Sequence, residues 1–112
     1  MSTVVSKENR EITKAESILW TADFTDALQS TETLSTVVSV AETTSAGLTV
    51  GAGAINSSGA ITVDGVTIAI NKAVQFRVSC ASATAGAAVV RVKVTTSDGN
   101  TRSLDCRFTV RT

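Results

Sequence analysis

Three groups of side chains in this chain have types and spacings that chemistry could use. Asp23 and Asp26 are carboxylates three residues apart, but no further oxygen-rich spacing accompanies them for calcium. Cys80 and Cys106 are two thiols without a CxxC pattern. The glycine-rich run Gly47–Gly53 lacks the lysine and the following helix that a phosphate-binding loop needs. None of the three predicts a catalytic, metal or cofactor site.

The composition excludes several classes of function. The 112 residues include no His, so histidine-dependent nucleophilic triads and His-ligated metal sites are absent. One Trp, three Phe and no Tyr supply few rings on which sugars or nucleobases could stack. Ten Lys and Arg balance ten Asp and Glu, which argues against nonspecific nucleic-acid binding. We therefore expect a protein that is not an enzyme, holds no cofactor and binds no nucleic acid.

The N-terminal sequence predicts the compartment in which the chain folds. MSTVVSKENREI contains neither the apolar stretch nor the small-residue cleavage site of a signal peptide. No run approaches the roughly 18 apolar residues of a membrane helix. We therefore expect a chain that first folds in the cytoplasm, without a membrane partner. Cys80 and Cys106 are expected there as buried free thiols; a disulfide formed after exit from the cell and a two-ligand metal site are the alternatives.

Residues 1–17 differ from the rest of the chain. Their charges are dense and alternate in sign, and their apolar residues are too sparse to form a core face. One interpretation is a frayed terminus. The other is an extended arm that orders on a neighbouring subunit, with a short helical turn over Lys7–Glu16 capped by Ser6. The second interpretation makes five residues candidates for partner binding: Val4, Val5, Lys7, Arg10 and Ile12.

From Ile18 onward, alternation of apolar and polar residues predicts short β-strands. Gly51–Gly59 (GAGAINSSG) is predicted to be a loop whose side chains are too small to pack much. Asp64-Gly65 fits a two-residue type I′ turn that pairs Val63 with Val66 and Ile61 with Ile68. The residues predicted to face the core in three other strands are Trp20, Ala22 and Phe24; Leu34, Val38 and Val40; and Val74, Phe76, Val78 and Cys80.

A second hairpin near the C-terminus carries half of the basic residues. Matching its apolar faces sets Val92 opposite Cys106, with Asp98–Asn100 as a three-residue loop. In that register Arg91 lies opposite Arg107, and such a like-charge pair is mildly destabilising. A docked acidic surface would make the pair favourable, which makes Arg91 and Arg107 candidate partner-binding residues. A solvated face without a partner is the alternative.

The charges are also divided along the chain. Residues 17–71 hold five acidic residues and no Lys or Arg, whereas residues 72–112 hold seven bases and two acids. We expect oppositely charged surfaces on one neutral molecule. Seven or eight short antiparallel strands with frequent turns predict an all-β fold, an immunoglobulin-like or fibronectin-like β-sandwich over residues 18–112, preceded by the arm at residues 1–17.

Four short motifs follow one another in a characteristic order. They are WTADF at Trp20–Phe24, TETL at Thr31–Leu34, ATAG at Ala83–Gly86 and TTSDGNT at Thr95–Thr101. Together with the charged arm, they resemble the small immunoglobulin-like virion proteins of tailed bacteriophages over most of the chain. Each motif alone is typical of many turns or strand starts. The resemblance depends on their order and spacing.

The resemblance implies a non-enzymatic building block of a virion that is assembled in the host cytoplasm. Such proteins act as capsid cement or decoration proteins, or as head–tail or fibre–tail adaptors. The implied partners are the major capsid protein or tail and fibre subunits, in a homo-oligomer or multi-copy assembly. A carbohydrate- or cell-surface-binding module is an alternative of another class, against which the scarcity of aromatic residues counts.

Overall fold

The computed structural model describes residues 10–13, 15–44, 47–80 and 86–111. Within these residues the regular structure consists of ten strands and one short 3-10 helix, Thr25–Ala27. The predicted all-β class is confirmed for this part of the chain. The strands are β1 (Arg10–Thr13), β2 (Ser17–Asp23), β3 (Leu34–Glu42), β4 (Thr49–Val50), β5 (Ala54–Ile55), β6 (Ile61–Val63), β7 (Val66–Ile68), β8 (Ala73–Ser79), β9 (Gly86–Thr96) and β10 (Thr101–Arg111).

The strands form two principal sheets and a separate hairpin. The first sheet has the order β1-β10-β9-β3, and the second has the order β2-β8-β4 with β5 also paired to β8. The β6–β7 hairpin forms a small sheet of its own. All pairs are antiparallel except β1 with β10, which is parallel. The antiparallel pairing predicted for the sandwich is confirmed in its described strands, and the parallel pair comes from residues 10–13 of the predicted arm.

One hydrophobic core lies between the two principal sheets, and both contribute side chains to it. Trp20 of β2 and Phe108 of β10 meet edge to face across this core, with ring centroids 5.2 Å apart. The residues predicted to face inward along β2 and β8 are all buried. The period-two pattern is confirmed in β8 from Val74 onward, whereas in β2 Thr21 and Asp23 are buried as well. Burial of these apolar side chains supplies the main driving force for the fold.

The part of the predicted arm that the structure describes is a strand rather than a helical turn. Arg10–Thr13 pairs with Phe108–Arg111, and Ile12 is fully buried in the core. The chain then crosses to the second sheet through Ala15, which has a φ of 77°. Its amide donates to the Cys80 carbonyl at 2.6 Å. The expectation that Ile12 cannot reach a core face is therefore wrong, because pairing with β10 aligns it with Val110.

In β3 the predicted alternation fails midway. Leu34 is buried as expected, but Val38 is 53% exposed, while Val37 and Val40 pack against the core. The pairing of β3 with β9 is irregular at two points, between Leu34 and Thr36 and between Val37 and Ser39. Each irregularity changes the face that the next side chain occupies, as a β-bulge does. Of the residues predicted for this face, Val38 is therefore wrong and Val37 takes its place, whereas Leu34 and Val40 are right.

The small-residue loop packs closely, contrary to the prediction. It contains the two-residue strand β5, and a Cβ added at Gly53 would lie only 2.8 Å from Val74 Cγ1 and 2.9 Å from Val40 Cγ2. The absence of a side chain at Gly53 is therefore what lets this segment approach β3 and β8. Asn56, also in this segment, is buried and accepts the amides of Lys72 and Ala73 through Oδ1, at 3.0 Å each.

The first hairpin is confirmed in detail. Val63 pairs with Val66 and Ile61 with Ile68. Asp64 and Gly65 have φ values of 51° and 81°, as a type I′ turn requires at both central positions. The turn was predictable because its geometry depends on two adjacent residues alone.

Candidate docking surface

The second hairpin has a register two residues away from the predicted one. Val92 lies opposite Leu104, and Cys106 lies opposite Val90. Gly99 takes the left-handed conformation, with a φ of 82°, and its amide donates to the Thr96 carbonyl at 3.0 Å. The Thr96 amide donates in turn to the Asn100 carbonyl at 2.9 Å, so the loop comprises Ser97–Gly99. The predicted loop length and left-handed glycine are right, but the loop begins one residue earlier.

The corrected register changes which charges meet on the outer face of the first sheet. Arg91 lies opposite Asp105, and its Nε and Nη2 donate to Oδ1 and Oδ2 at 2.8 and 3.2 Å. This two-point contact lowers the pKa of Asp105 and raises that of Arg91. Arg107 lies opposite Val89 instead. The predicted Arg91–Arg107 pair is therefore wrong, since a shift of two residues brings an acid to that place.

We call Arg91, Lys93, Asp105 and Arg107 the basic stripe. All four project from the outer face of β9 and β10, and the three cations are exposed. Arg107 is near enough to Asp105 to lower its pKa by charge, but no ion pair joins Arg107 or Lys93 to another described residue. The stripe thus holds three cations and one carboxylate. At the end of β10, Arg111 is neutralised by Glu11 at 2.6 Å.

The sequence-predicted site residues fall into three groups. Arg91 and Arg107 are exposed on the stripe. Ile12 lies inside the core of its own chain, and Arg10 contributes its backbone to β1 beside Phe108. Val4, Val5 and Lys7 lie outside the described residues. The structure thus places the strand that follows the N-terminal segment directly alongside β10, the strand that carries Arg107.

A buried carboxylate holds the tip of the β9–β10 hairpin in place. Glu32, in the loop before β3, is fully buried. Its Oε2 accepts from Thr96 Oγ1 at 2.5 Å and from Asn100 Nδ2 at 2.9 Å. Its Oε1 lies 2.8 Å from Arg102 Nη2 and also accepts from Arg102 Nε at 3.0 Å. These contacts, together with the Gln29 amide at 3.0 Å, satisfy the buried charge.

The same contacts explain the acidity of Glu32. Its hydrogen bonds with Arg102, and then with Thr96, lower its pKa from 4.5 to about 2 against the opposing effect of burial. Sequence reasoning missed this cluster, although it singled out TETL at Thr31–Leu34 and TTSDGNT at Thr95–Thr101 as separate motifs. In the structure these two motifs are in contact, through Glu32 and through the Ser97 amide, which donates to the Thr33 carbonyl at 2.8 Å.

The other candidate groups of the sequence form no metal site among the described residues, and Asp23, Cys80 and Cys106 of these groups are buried. Asp23 is buried, and its Oδ1 accepts from the Thr25 amide at 2.8 Å and from Thr25 Oγ1 at 2.5 Å. Among the described residues no three Cys, Asp or Glu side chains are grouped so as to hold a metal ion. Cys80 and Cys106 are both buried and are not bonded to each other. Burial raises the pKa of the Cys106 thiol to about 12.

Comparison with known proteins gives no further identification. No known protein-family model, no curated protein and no solved structure matches the chain. Among the described residues, no helix is long and apolar enough to span a membrane. The function proposed for the chain therefore rests on the geometry of the molecule.

Proposed function

We propose that this chain is a non-enzymatic structural protein of a tailed-bacteriophage virion, an immunoglobulin-like sandwich that binds the major capsid protein lattice as a cement or decoration protein. The observation that carries the proposal is the basic stripe. Its charges project from two regular strands whose connecting hairpin is fixed by Glu32. A rigid sheet face with an excess of exposed cations suits docking onto an acidic protein surface.

The strand order supports the immunoglobulin-like part of the proposal. In that fold strands B, E and D share one sheet, and strands C, F and G share the other. Here β2, β8 and the short β4 and β5 have the positions of B, E and D, while β3, β9 and β10 have those of C, F and G. The β6–β7 hairpin is then an insertion between D and E. The fold is held without the cross-sheet disulfide of antibody domains.

The stripe is arranged so that docking costs little conformational entropy. Asp105 fixes the Arg91 guanidinium in a two-point contact before any partner arrives. The charges of Lys93 and Arg107 remain available to bind carboxylates of the partner. A single contact of this kind is weak, because exposed ion pairs are screened by salt. Many copies on a symmetric particle would add such contacts together.

The aromatic residues weigh against a carbohydrate- or cell-surface-binding module. Such modules stack sugar rings on exposed aromatic side chains. Every aromatic ring of this chain is inside the core: Trp20 is 8% exposed, and Phe24, Phe76 and Phe108 are at most 1% exposed. The outer surfaces therefore offer charged and hydroxyl groups but no aromatic platform. This distribution favours protein docking through charges.

The proposal is tested on purified particles of the phage that encodes the chain. Mass spectrometry of intact particles and of separated capsid and tail fractions should find the protein in many copies in the capsid fraction. Its presence in the tail fraction would indicate an adaptor that uses the stripe on another virion subunit. Its absence from both fractions would overturn the proposal, as would turnover of a substrate by the purified protein.

A further inference from the structure

Asp105 lies at the centre of the basic stripe. On the outer face of the first sheet it is opposite Arg91, and it precedes Arg107 by two residues on β10. Lys93 is its diagonal neighbour, because Lys93 lies opposite Ser103. Opposite neighbours lie about 5 Å apart, and diagonal neighbours and side chains two residues apart on one strand lie about 7 Å apart. All three cations of the stripe therefore surround one carboxylate.

This carboxylate changes the charge of the face more than it stabilises the fold. The Arg91 and Asp105 side chains are 52% and 33% exposed, and water and salt screen an ion pair that is so exposed. The pair forms a neutral row between Lys93 and Arg107, which have no ion pair with another described residue. Along the strands these two cations lie about 13 Å apart. The stripe is therefore two separate positive positions, not one continuous positive line.

We propose that Asp105 is the specificity-determining residue of the basic stripe, and that it lets the stripe bind separate carboxylates of a protein surface while it excludes nucleic acid. The proposal rests on the stripe as the docking surface proposed above, but not on which virion protein binds there. Each nucleic-acid strand of a duplex carries about one phosphate charge per 3.4 Å of helix axis. A line of phosphates that bridged Lys93 and Arg107 would pass over Asp105, whose charge repels it.

The carboxylates of a folded partner avoid this repulsion because their positions are separate. Two of them can meet Lys93 and Arg107 while the partner's surface between them carries no charge above Asp105. Repulsion of the wrong partner is one of the two ways in which a protein surface becomes specific. In the proposed virion role it matters, because attraction to phosphates in the host cytoplasm would compete with docking.

Binding of a short fluorescent DNA duplex to the full-length protein, measured by anisotropy, tests the inference. Asp105→Asn keeps an oxygen that can accept from Arg91 but removes the charge, so that three cations become continuous. We expect this variant to bind the duplex several-fold more tightly than the wild type at low salt. One added phosphate contact should make the slope of log K against log salt more negative by about 0.9. The matched control is Asp98→Asn, which makes the same change of net charge on the exposed turn and should bind like the wild type.

A second pair of variants tests whether the gained binding is on the stripe. Adding Lys93→Gln and Arg107→Gln to Asp105→Asn should abolish the gain. Adding Arg77→Glu instead makes the same change of net charge on the other sheet and should leave most of the gain.

Three results would overturn the inference. They are equal DNA affinities of the wild type and Asp105→Asn, equal gains by Asp105→Asn and Asp98→Asn, and a gain that survives the loss of the Lys93 and Arg107 charges. None of these measurements uses phage particles or a virion partner. A failure here is therefore distinguishable from a failure of the proposed capsid role, which is measured on particles.

Discussion

Glu32 and Arg102 lie seventy positions apart in the chain, and the Arg102 Nη2 atom lies 2.8 Å from the Glu32 Oε1 atom. The Glu32 carboxylate is fully buried, whereas the side chain of Arg102 is 28% exposed. The contact joins the loop before β3 to the beginning of β10. It fixes the position of the hairpin tip, and through it the orientation of β9 and β10, which carry the basic stripe.

The first prediction concerns acid stability. Because the pKa of Glu32 is about 2 in the folded chain and 4.5 ordinarily, its stabilising contribution is complete above pH 4.5. The contribution is lost as the pH falls from 4.5 through 2. Glu32→Gln should lower Tm at pH 7, on the order of 5–10 °C for a domain of this size. It should also flatten the fall in Tm between pH 4.5 and 2, as measured by circular dichroism.

The matched control for this prediction is Asp98→Asn, which removes a carboxylate from the exposed turn of the same hairpin. Its Tm should follow the wild type at every pH. An acid profile of Glu32→Gln that runs parallel to the wild-type profile would mean that Glu32 does not carry this linkage.

The second prediction concerns the packing of Gly53. Gly53→Ala introduces a Cβ at 2.8 Å from Val74 Cγ1 and 2.9 Å from Val40 Cγ2, so the surrounding core must shift. Overpacking of this kind costs about 1–3 kcal/mol of unfolding free energy. Gly51→Ala is the control, because its nearest neighbours would lie at 3.6–3.7 Å, in ordinary contact. Urea titrations should separate the two variants; equal midpoints would contradict the close packing of this loop.

The third prediction follows from the corrected hairpin register. Arg91→Glu sets two carboxylates opposite each other, because Asp105 is the cross-strand neighbour of Arg91. Lys93→Glu faces Ser103 and meets no such repulsion. Arg91→Glu should therefore reduce the urea midpoint, while Lys93→Glu should leave it close to wild type. Adding Asp105→Arg to Arg91→Glu should restore the loss. Equal midpoints for Arg91→Glu and Lys93→Glu would contradict this register, as would a loss that Asp105→Arg does not restore.

The fourth prediction concerns the cysteines. Both thiols are buried and unbonded, and the high pKa of Cys106 leaves almost no thiolate at pH 8. Iodoacetamide should therefore leave the native protein unmodified over a period in which the urea-unfolded protein takes up two carbamidomethyl groups. Mass spectrometry without reductant counts them. An unfolded protein that takes up none would establish a disulfide.

Local chemistry made part of this fold predictable. The type I′ turn depends only on Asp64 and Gly65, and the burial of Trp20 and Phe76 depends only on alternation within one strand. The face of Val38 was not predictable, because a bulge is set by the neighbouring strand. The prediction of the register between β9 and β10 was wrong for a related reason. Two loops of equal length fit the sequence around Gly99, and long-range contacts of Glu32 with Thr96 and Asn100 accompany the observed one.

Other parts depended on contacts that no local pattern contains. Ile12 is isolated among charged residues, and only its parallel alignment with Val110 in β10 brings it into the core. Asn56 resembles an ordinary loop residue, but its Nδ2 donates to the Ala69 carbonyl at 2.8 Å and its Oδ1 accepts two amides. Its role is to hold together a loop whose small residues cannot do so by hydrophobic burial.

The most direct test of the proposed docking role is the binding of purified protein to phage particles that lack it. The double variant Lys93→Glu and Arg107→Glu reverses the two stripe cations that have no described ion-pair partner. Arg77→Glu reverses an exposed cation on β8 of the other sheet and serves as the control. Each variant is measured by co-sedimentation at low and at physiological salt. We predict that the double variant loses most of its binding while Arg77→Glu binds like wild type; equal binding by all three proteins would contradict docking through the basic stripe.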